Sequence, residues 1–361
     1  MVSLHLDTRP DWRGGQSQIL LLLRGLRARG HEAELVALAG GPLERRALAE
    51  GFRVYPISPR SARAAAALLL RRLLVTRRFD VVHAHDAHGL TAAWLARAHR
   101  RAALVAHRRV VNPLRRSPIA LARYRTARRI LAISKFVAER VISAGISPGK
   151  VAVIYDGVEL PSAAAVMGRG QARKRWDVDS ENLLGCVSQF VPGKGQEVLV
   201  RAFPSVLKQI PNCRLLFIGD GPERAGLEQL ARTLGIAPRV TFAGFIEDIS
   251  GAYEALDLFV FPAINEGLGT ALLMAMSYGL PAVAVASGGV PEVVEDRMNG
   301  LLVREPRPEE FSDGIVRLLK NPAEASRLGR AARETIVRQF TADRMVKLTL
   351  EQYDQVLRSS R

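Results

Sequence analysis

Residues able to do chemistry gather at a few glycine-rich turns, most of them in the second half of this 361-residue chain. Ser188-Gln189-Phe190-Val191-Pro192-Gly193-Lys194-Gly195 follows an apolar run and precedes an amphipathic one, which puts Lys194 where an ammonium could balance a departing diphosphate. On spacing alone, a lysine in a solvated turn fits as well. Phe261-Pro262-Ala263-Ile264-Asn265-Glu266-Gly267-Leu268-Gly269-Thr270 runs from a strand end into glycine-rich backbone ahead of a helix at Ala271–Tyr278. There a carboxylate for sugar hydroxyls would stand beside N–H dipoles for a diphosphate. Ile218-Gly219-Asp220-Gly221-Pro222 is another strand-to-helix glycine turn.

The first half holds two further groups. Arg13-Gly14-Gly15-Gln16 opens an apolar helix at Ile19–Leu26; its free N–H groups suit a phosphate, although the pair is not GxGxxG and tight-turn chemistry alone explains it. His83, His85 and His88 cluster at one strand end, and His107 ends the next. His83 and His85 share a face by period two, but no Cys follows and Asp86 is adjacent rather than convergent, so structural or substrate-contacting histidines fit better than metal ligands. His107 with Arg108 and Arg109 makes a cationic strand end suited to a sugar hydroxyl or a phosphate, or to a hydrogen bond between domains. Asp177-Val178-Asp179 spells a metal-binding DxD but precedes a strand instead of following one.

Such turns need strands to end at them. Short apolar runs alternate with amphipathic segments along the whole chain, the pattern of βα units forming parallel sheets. Strands are expected at Val2–Leu6, Glu32–Ala37, Arg53–Tyr55, Phe79–Ala84, Ala103–His107, Arg129–Ile133 and Val151–Ile154, then at Leu183–Val187, Arg214–Ile218, Val240–Ala243, Leu258–Phe261, Ala282–Ala286 and Leu301–Val303. This predicts an α/β protein of two doubly wound Rossmann-like domains facing across a cleft: residues 1–165, a linker at 166–180 with one short helix in the Pro161–Asp179 stretch, and residues 181–340. Residues 341–361 read as an amphipathic helix that needs a surface to cover.

Composition narrows the class. With 48% hydrophobic and 24% charged residues the chain is not disordered, and two cysteines, Cys186 and Cys213, make neither a disulfide framework nor a metal cluster. A reducing, cytoplasmic setting is expected. Arginines interrupt the apolar stretches well before the roughly 20 residues of a membrane span. Net charge is +17, and residues 1–160 hold 28 of the 52 Lys+Arg but only 11 of the 35 Asp+Glu. An acidic partner for that half, or arginine-rich solvated helix faces, would explain the asymmetry.

In order, these motifs, with Phe79-Asp80-Val81-Val82-His83-Ala84-His85, Ile133-Ser134-Lys135, Gly279-Leu280-Pro281 and Gly288-Gly289-Val290-Pro291-Glu292, resemble the retaining GT-B-fold glycosyltransferases of family 4 over nearly the whole chain. The resemblance implies transfer of a sugar from a nucleoside diphosphate to an acceptor hydroxyl, with no metal or other cofactor. It implies that His107, Lys194 and Glu266 are catalytic, and that Gly14, Gly15, Gln189, Gly219, Asp220, Gly221, Phe245, Gly267, Leu268, Gly269, Thr270 and Met274 line the donor site. Gln16, His83, His85, Arg108 and Ser134 would face the acceptor, and the terminal helix would return to the N-terminal domain. Two positions depart from the family pattern. Gln189 stands where an arginine is usual, and Met274 stands eight positions after Glu266, where a second glutamate would grip the ribose. Glu292 or backbone would then take over, or donor binding would weaken.

The implied partners are a nucleotide sugar and a glycan or lipid-linked acceptor, with lipopolysaccharide or another surface glycan as destination. The paired arginines at 71–72, 77–78, 108–109, 115–116 and 128–129 suit an anionic membrane surface, peripherally on its cytoplasmic face. Alternatives are a catalytically impaired nucleotide-binding subunit and an epimerase or phosphorylase of similar fold; no nucleic-acid motif supports a nucleic-acid partner.

Overall fold

The computed structural model describes residues 1–59, 62–114, 117–162, 168–179 and 181–358. Its contacts divide the chain into two units, Met1–Gly157 with the segment from Ala342, and Val158–Thr341. Each is built on a parallel sheet. The first unit contains β1 (Val2–Leu6), β2 (Glu32–Leu38), β3 (Val54–Ile57), β4 (Val81–Ala84), β5 (Ala103–Arg108), β6 (Arg129–Ala132) and β7 (Val151–Val153), in the order β3-β2-β1-β4-β5-β6-β7. The second contains β8 (Asn182–Val187), β9 (Cys213–Ile218), β10 (Val240–Phe242), β11 (Leu258–Phe261), β12 (Ala282–Val285) and β13 (Leu301–Val303), ordered β10-β9-β8-β11-β12-β13. Every expected strand is present, with small shifts at the ends.

Period-two alternation sends the first sheet's side chains to two faces. Leu4, Leu6, Val82, Ala84, Leu104, Ala106 and Ile130 pack in one cluster. Val81, Val105 and Leu131 go to the other face, with Leu22 and Leu26 of the helix Gly14–Ala28 and with Met345, Val346, Tyr353 and Val356 of the terminal helix Ala342–Arg358. The amphipathic end of the chain thus finds its surface on the first sheet. Gly25 sets the approach of the two helices, because a Cβ there would lie 2.4 Å from Val346 Cγ2.

The contacts divide the chain at other points than the expected linker, whose short helix is present. The boundaries fall at Gly157/Val158 and Thr341/Ala342, and much of the 166–180 segment belongs to the second unit. Its helix Arg169–Lys174 is held by Arg173, whose Nη1 donates to the Ala255 carbonyl and to Asp257 Oδ2, both at 3.0 Å. Gly168 N donates to Glu254 Oε2 at 3.0 Å. Arg173 is thus buried and paired within the second unit. Residues 163–167 and 180, and the expected Arg115–Arg116 cluster, lie outside the described residues. Asp177 and Asp179 sit in the turn before β8. No helix among the described residues is long and apolar enough to cross a membrane.

Gly25→Ala should force Val346 aside and lower stability by about 1–3 kcal/mol, the usual cost of overpacking. A urea midpoint unchanged from wild type would show that the helix contact is loose.

Candidate functional site

In a doubly wound sheet, ligands bind beyond the carboxyl ends of the strands where the winding reverses. In the second unit that point lies between β8 and β11, and Lys194 and Glu266 sit on the loops that follow these strands. They meet there: Lys194 Nζ donates to Glu266 Oε2 at 2.5 Å, with 30% and 20% of the side chains exposed. Gly267 N donates back to Glu266 Oε1 at 3.2 Å. A cation and a carboxylate 72 residues apart in sequence therefore form one half-open pair.

Glycine lets the loops close to this distance. Gly195 has φ +74°, and a Cβ on it would lie 2.2 Å from the Pro262 carbonyl oxygen; a Cβ on Gly219, at φ +135°, would lie 1.9 Å from the Ser188 carbonyl oxygen. Ile264 N donates to the Gly193 carbonyl at 2.9 Å and Gly219 N to the Gly244 carbonyl at 2.8 Å. The Gln189 carbonyl accepts from Gln196 Nε2 at 2.8 Å; this buried glutamine, which sequence reasoning passed over, also holds Ser188 Oγ at 2.8 Å. Asp220 Oδ1 accepts from Gly221 N at 2.7 Å, and its other oxygen pairs with Arg224 at 3.3 Å. Phe245, 62% exposed, stands beside this turn.

Gly269 precedes the helix Thr270–Ser277, and Leu268 is buried beneath that start. Met274 lies one turn in and is half-buried. Ser277 Oγ donates to its carbonyl at 2.7 Å and lies 3.8 Å from its Sδ. The expected donor residues from Gln189 to Met274 thus lie in the second unit, on the segments that follow β8, β9, β10 and β11, whereas Gly14 and Gly15 belong to the first.

The first unit reverses between β1 and β4. Asp86 ties the two ends: its carboxylate accepts from Thr8 N at 2.7 Å and Thr8 Oγ1 at 3.0 Å, and from His88 N and Gly89 N at the start of the helix Ala87–Leu95. Gln16 accepts from Arg13 N at 3.1 Å and donates to Asp7 Oδ2 at 3.0 Å, which holds the Gly14-Gly15 turn from inside.

Below this turn lies a cluster that spacing revealed only in part. His5 on β1 is in register with His83 on β4, and His85 and His107 extend the group. Arg109 Nη1 lies 3.1 Å from His85 Nδ1, His85 Nε2 lies 3.0 Å from His5 Nδ1, and His5 Nε2 lies 3.0 Å from Ser3 Oγ. Arginine can only donate, so His85 Nδ1 accepts and its Nε2–H donates to His5, which in turn donates to Ser3. His5, His83 and His85 offer nitrogens within 4.8 Å of one another, close enough for a metal ion. In this arrangement the facing nitrogens of His5 and His85 are bonded to each other, beside the Arg109 guanidinium.

Arg109 is balanced by buried Asp156 at 3.1 Å. Burial, and then the Arg109 charge, hold His5 at a pKa of about 3. Burial likewise holds His83, His85 and His107 well below the ordinary value. Burial and the neighbouring Asp86 raise Asp7 to about 7.

Three of the expected acceptor residues are buried and bonded within the first unit. His83 Nδ1 bonds Tyr353 OH of the terminal helix at 2.6 Å. Ser134 Oγ caps the helix Lys135–Ile142 by accepting from Val137 N at 3.1 Å. Arg108 is 8% exposed and donates to the Asn112 carbonyl. His85 is spent in the donor chain. His107 keeps both ring nitrogens unpartnered among the described residues. Sequence reasoning missed His5, Asp7 and Tyr353; the period-two set Ser3, His5, Asp7 was the available signal.

Two Rossmann-like sheets with glycine turns at both reversal points define a class, the GT-B type of nucleotide-sugar transferase fold. Residues 12–161 match the family model described as Glycosyltransferase Family 4, and residues 169–335 match Glycosyl transferases group 1. The chain belongs to this family. It is 31% identical over 224 residues, 58% of this chain and 57% of the relative, to a GDP-mannose-dependent alpha-(1-6)-phosphatidylinositol monomannoside mannosyltransferase of Mycobacterium tuberculosis. It is 32% identical over 203 residues, 54% and 44% of the two chains, to a D-inositol 3-phosphate glycosyltransferase of Mycobacteroides abscessus. The matches thus span about half the length of these relatives. The crystal structure of Anabaena HepE with UDP and glucose shares the fold, with TM-score 0.86, 22% identity, and coverage of 98% of this chain and 99% of that one.

The buried imidazoles make stability depend on pH. Below 6.5 the unfolded chain takes up protons that the folded histidines refuse, so at pH 5.5 each costs about 1.4 kcal/mol. Asp7 opposes this, because its raised pKa lets the folded state bind a proton first, worth about 2 kcal/mol at the same pH. A net loss of stability between pH 7.5 and 5.5 is expected from denaturant titrations, smaller than the four histidines alone would give, because burial raises Asp156 as well as Asp7. Stability that is flat or rising over that interval would contradict neutral burial of the cluster.

Proposed function

We propose that the protein transfers a sugar from a nucleoside diphosphate sugar to an acceptor hydroxyl with retention at the anomeric carbon. The observation that carries this reading is the half-open Lys194–Glu266 pair at the winding reversal of the second sheet. On donor binding, Lys194 exchanges its carboxylate partner for the diphosphate, and Glu266 is released to hold sugar hydroxyls. N–H groups at the start of the helix Thr270–Ser277 complete the anion site without a divalent ion. Glu266 positions the sugar in this mechanism, and the departing phosphate takes the acceptor proton. His107, buried with both ring nitrogens unpartnered among the described residues, is assigned to the transferred sugar.

The proposed acceptor is a phosphate-bearing polyol or a lipid-linked glycan of the cell surface. The names of both mycobacterial relatives contain an inositol phosphate unit, which favours that class over lipopolysaccharide, and the cationic first half suits it. A second reading is favoured by Gln189 and Met274: a subunit that binds nucleotide without turnover.

Thermal unfolding with UDP, GDP, ADP and CMP separates these readings. One nucleoside diphosphate at about 100 times its dissociation constant should add roughly 2.7 kcal/mol, and Lys194→Ala should abolish the shift. Met274→Glu should tighten that nucleotide about tenfold by restoring an acceptor for two ribose hydroxyls. Silence from all four nucleotides, in the wild type and in Met274→Glu, would overturn the donor site. A shift without sugar transfer would establish the second reading.

A further inference from the structure

The basic half of the chain presents one helix face on which cations and large apolar side chains interleave without counter-charge. Residues 51–79 contain seven Arg and no Asp or Glu, and from 51 to 138 the acids are Asp80 and Asp86 alone, against 18 Arg and one Lys. The helix Ala62–Thr76 buries Ala66, Leu70, Leu73 and Leu74 in the first unit's core. On the opposite side, Ala64, Leu68, Arg71 and Val75 recur at i, i+4, i+7 and i+11, a single stripe along the helix.

Leu68 is 72% exposed and Val75 64%, the most exposed large apolar side chains of this helix. Arg72 lies beside the stripe and Arg78 just beyond its end, both exposed. Arg53 and Arg77 are drawn to Glu34 at 3.7 and 2.7 Å, whereas Arg71, Arg72 and Arg78 form no ion pair among the described residues. At the helix C-terminus a shallow cavity of about 350 Å³ is lined by Arg78 and Arg101 with Val75 and Thr76.

We propose that this stripe docks on an anionic lipid bilayer, with Leu68 and Val75 entering the headgroup–acyl boundary and Arg71, Arg72, Arg78 and Arg101 meeting lipid phosphates. Aliphatic side chains along the centre with arginines beside and beyond them are the pattern of an interfacial helix, whose basic residues keep their charge in the headgroup layer while their stems cover apolar surface. The same charge would attract nucleic acid, but the stripe carries no aromatic ring to stack on a base, and leucine and valine offer nothing to a phosphate backbone. The absence of any acid from residues 51–79 fits a surface of uniform negative charge better than a mosaic protein partner. The inference holds whichever sugar is transferred.

The test is co-sedimentation of the full chain with phosphatidylcholine vesicles and with vesicles containing one-third phosphatidylglycerol, at low and high salt. Wild type should pellet with the anionic vesicles and fade with salt. Arg71→Glu with Arg72→Glu should weaken binding at least about tenfold. Leu68→Ser with Val75→Ser should weaken it several-fold with the salt dependence kept. All four side chains are exposed, so both double variants should retain wild-type circular dichroism and melting. Equal pelleting with neutral vesicles would overturn the proposal, as would wild-type binding by both folded variants. So would duplex DNA binding more tightly than anionic vesicles and failing with the same arginines.

Discussion

A parallel sheet that winds outward from one point leaves a single gap between neighbouring strand ends, and each unit of this protein is arranged around its gap. In the second unit the gap is closed by backbone lying on backbone. The Gly193–Gly195 turn touches the Pro262–Ile264 segment, and a Cβ on Gly288 would lie 2.0 Å from the Glu266 carbonyl oxygen. With Gly289 N donating to that oxygen at 2.9 Å, Glu266 is gripped from behind while its carboxylate stays free to reach Lys194. The ion pair is therefore a product of missing methyl groups: a side chain at 195 or 288 would part the loops without altering either charged residue.

The first unit meets the same constraint differently. Its gap is underlain by buried polar groups, and each nitrogen taken out of water needs a partner or a neutral form. Arg109 keeps its charge because Asp156 answers it, and its donor fixes the proton positions of two histidines in series. Through His83 and Tyr353 the terminal helix joins this polar layer. That helix is therefore more than an apolar cover, and its register is set by a hydrogen bond as well as by Met345 and Val346.

The strands were readable because a parallel strand covered on both faces is a continuous apolar run, as in Leu258–Phe261 and Ala282–Val285. The segment between the halves shows where composition stops: it gives a short helix, but not that Asp257, 84 residues on, holds Arg173. Both glycine loops of the donor site were legible as strand-to-helix turns. Their meeting was not, because it depends on sheet order, which puts β11 beside β8 and not beside β10. Ser134 illustrates the opposite error. A hydroxyl just after a strand is as well placed to cap the next helix as to face a ligand, and here capping takes it. His5 went unread as one polar residue in the apolar run Val2–Leu6, and its register with His83 exists only in three dimensions.

Met274 has a different character from the other departures. Methionine and glutamate have similar helix propensity, and this position lies beyond the first turn of Thr270–Ser277, where the helix dipole has little hold on charge. The side chain is only half-buried, so a carboxylate there could keep much of its hydration and would not incur the penalty of a buried charge. Ser277 Oγ, 3.8 Å from the Met274 Sδ, is already satisfied by the Met274 carbonyl. Neither folding nor packing therefore demands methionine at 274. In the proposed function the substitution changes the set of hydroxyls the site would hold, and with Gln189 standing for a fixed charge on the loop after β8, both departures from the family pattern would fall on donor recognition and leave the scaffold untouched.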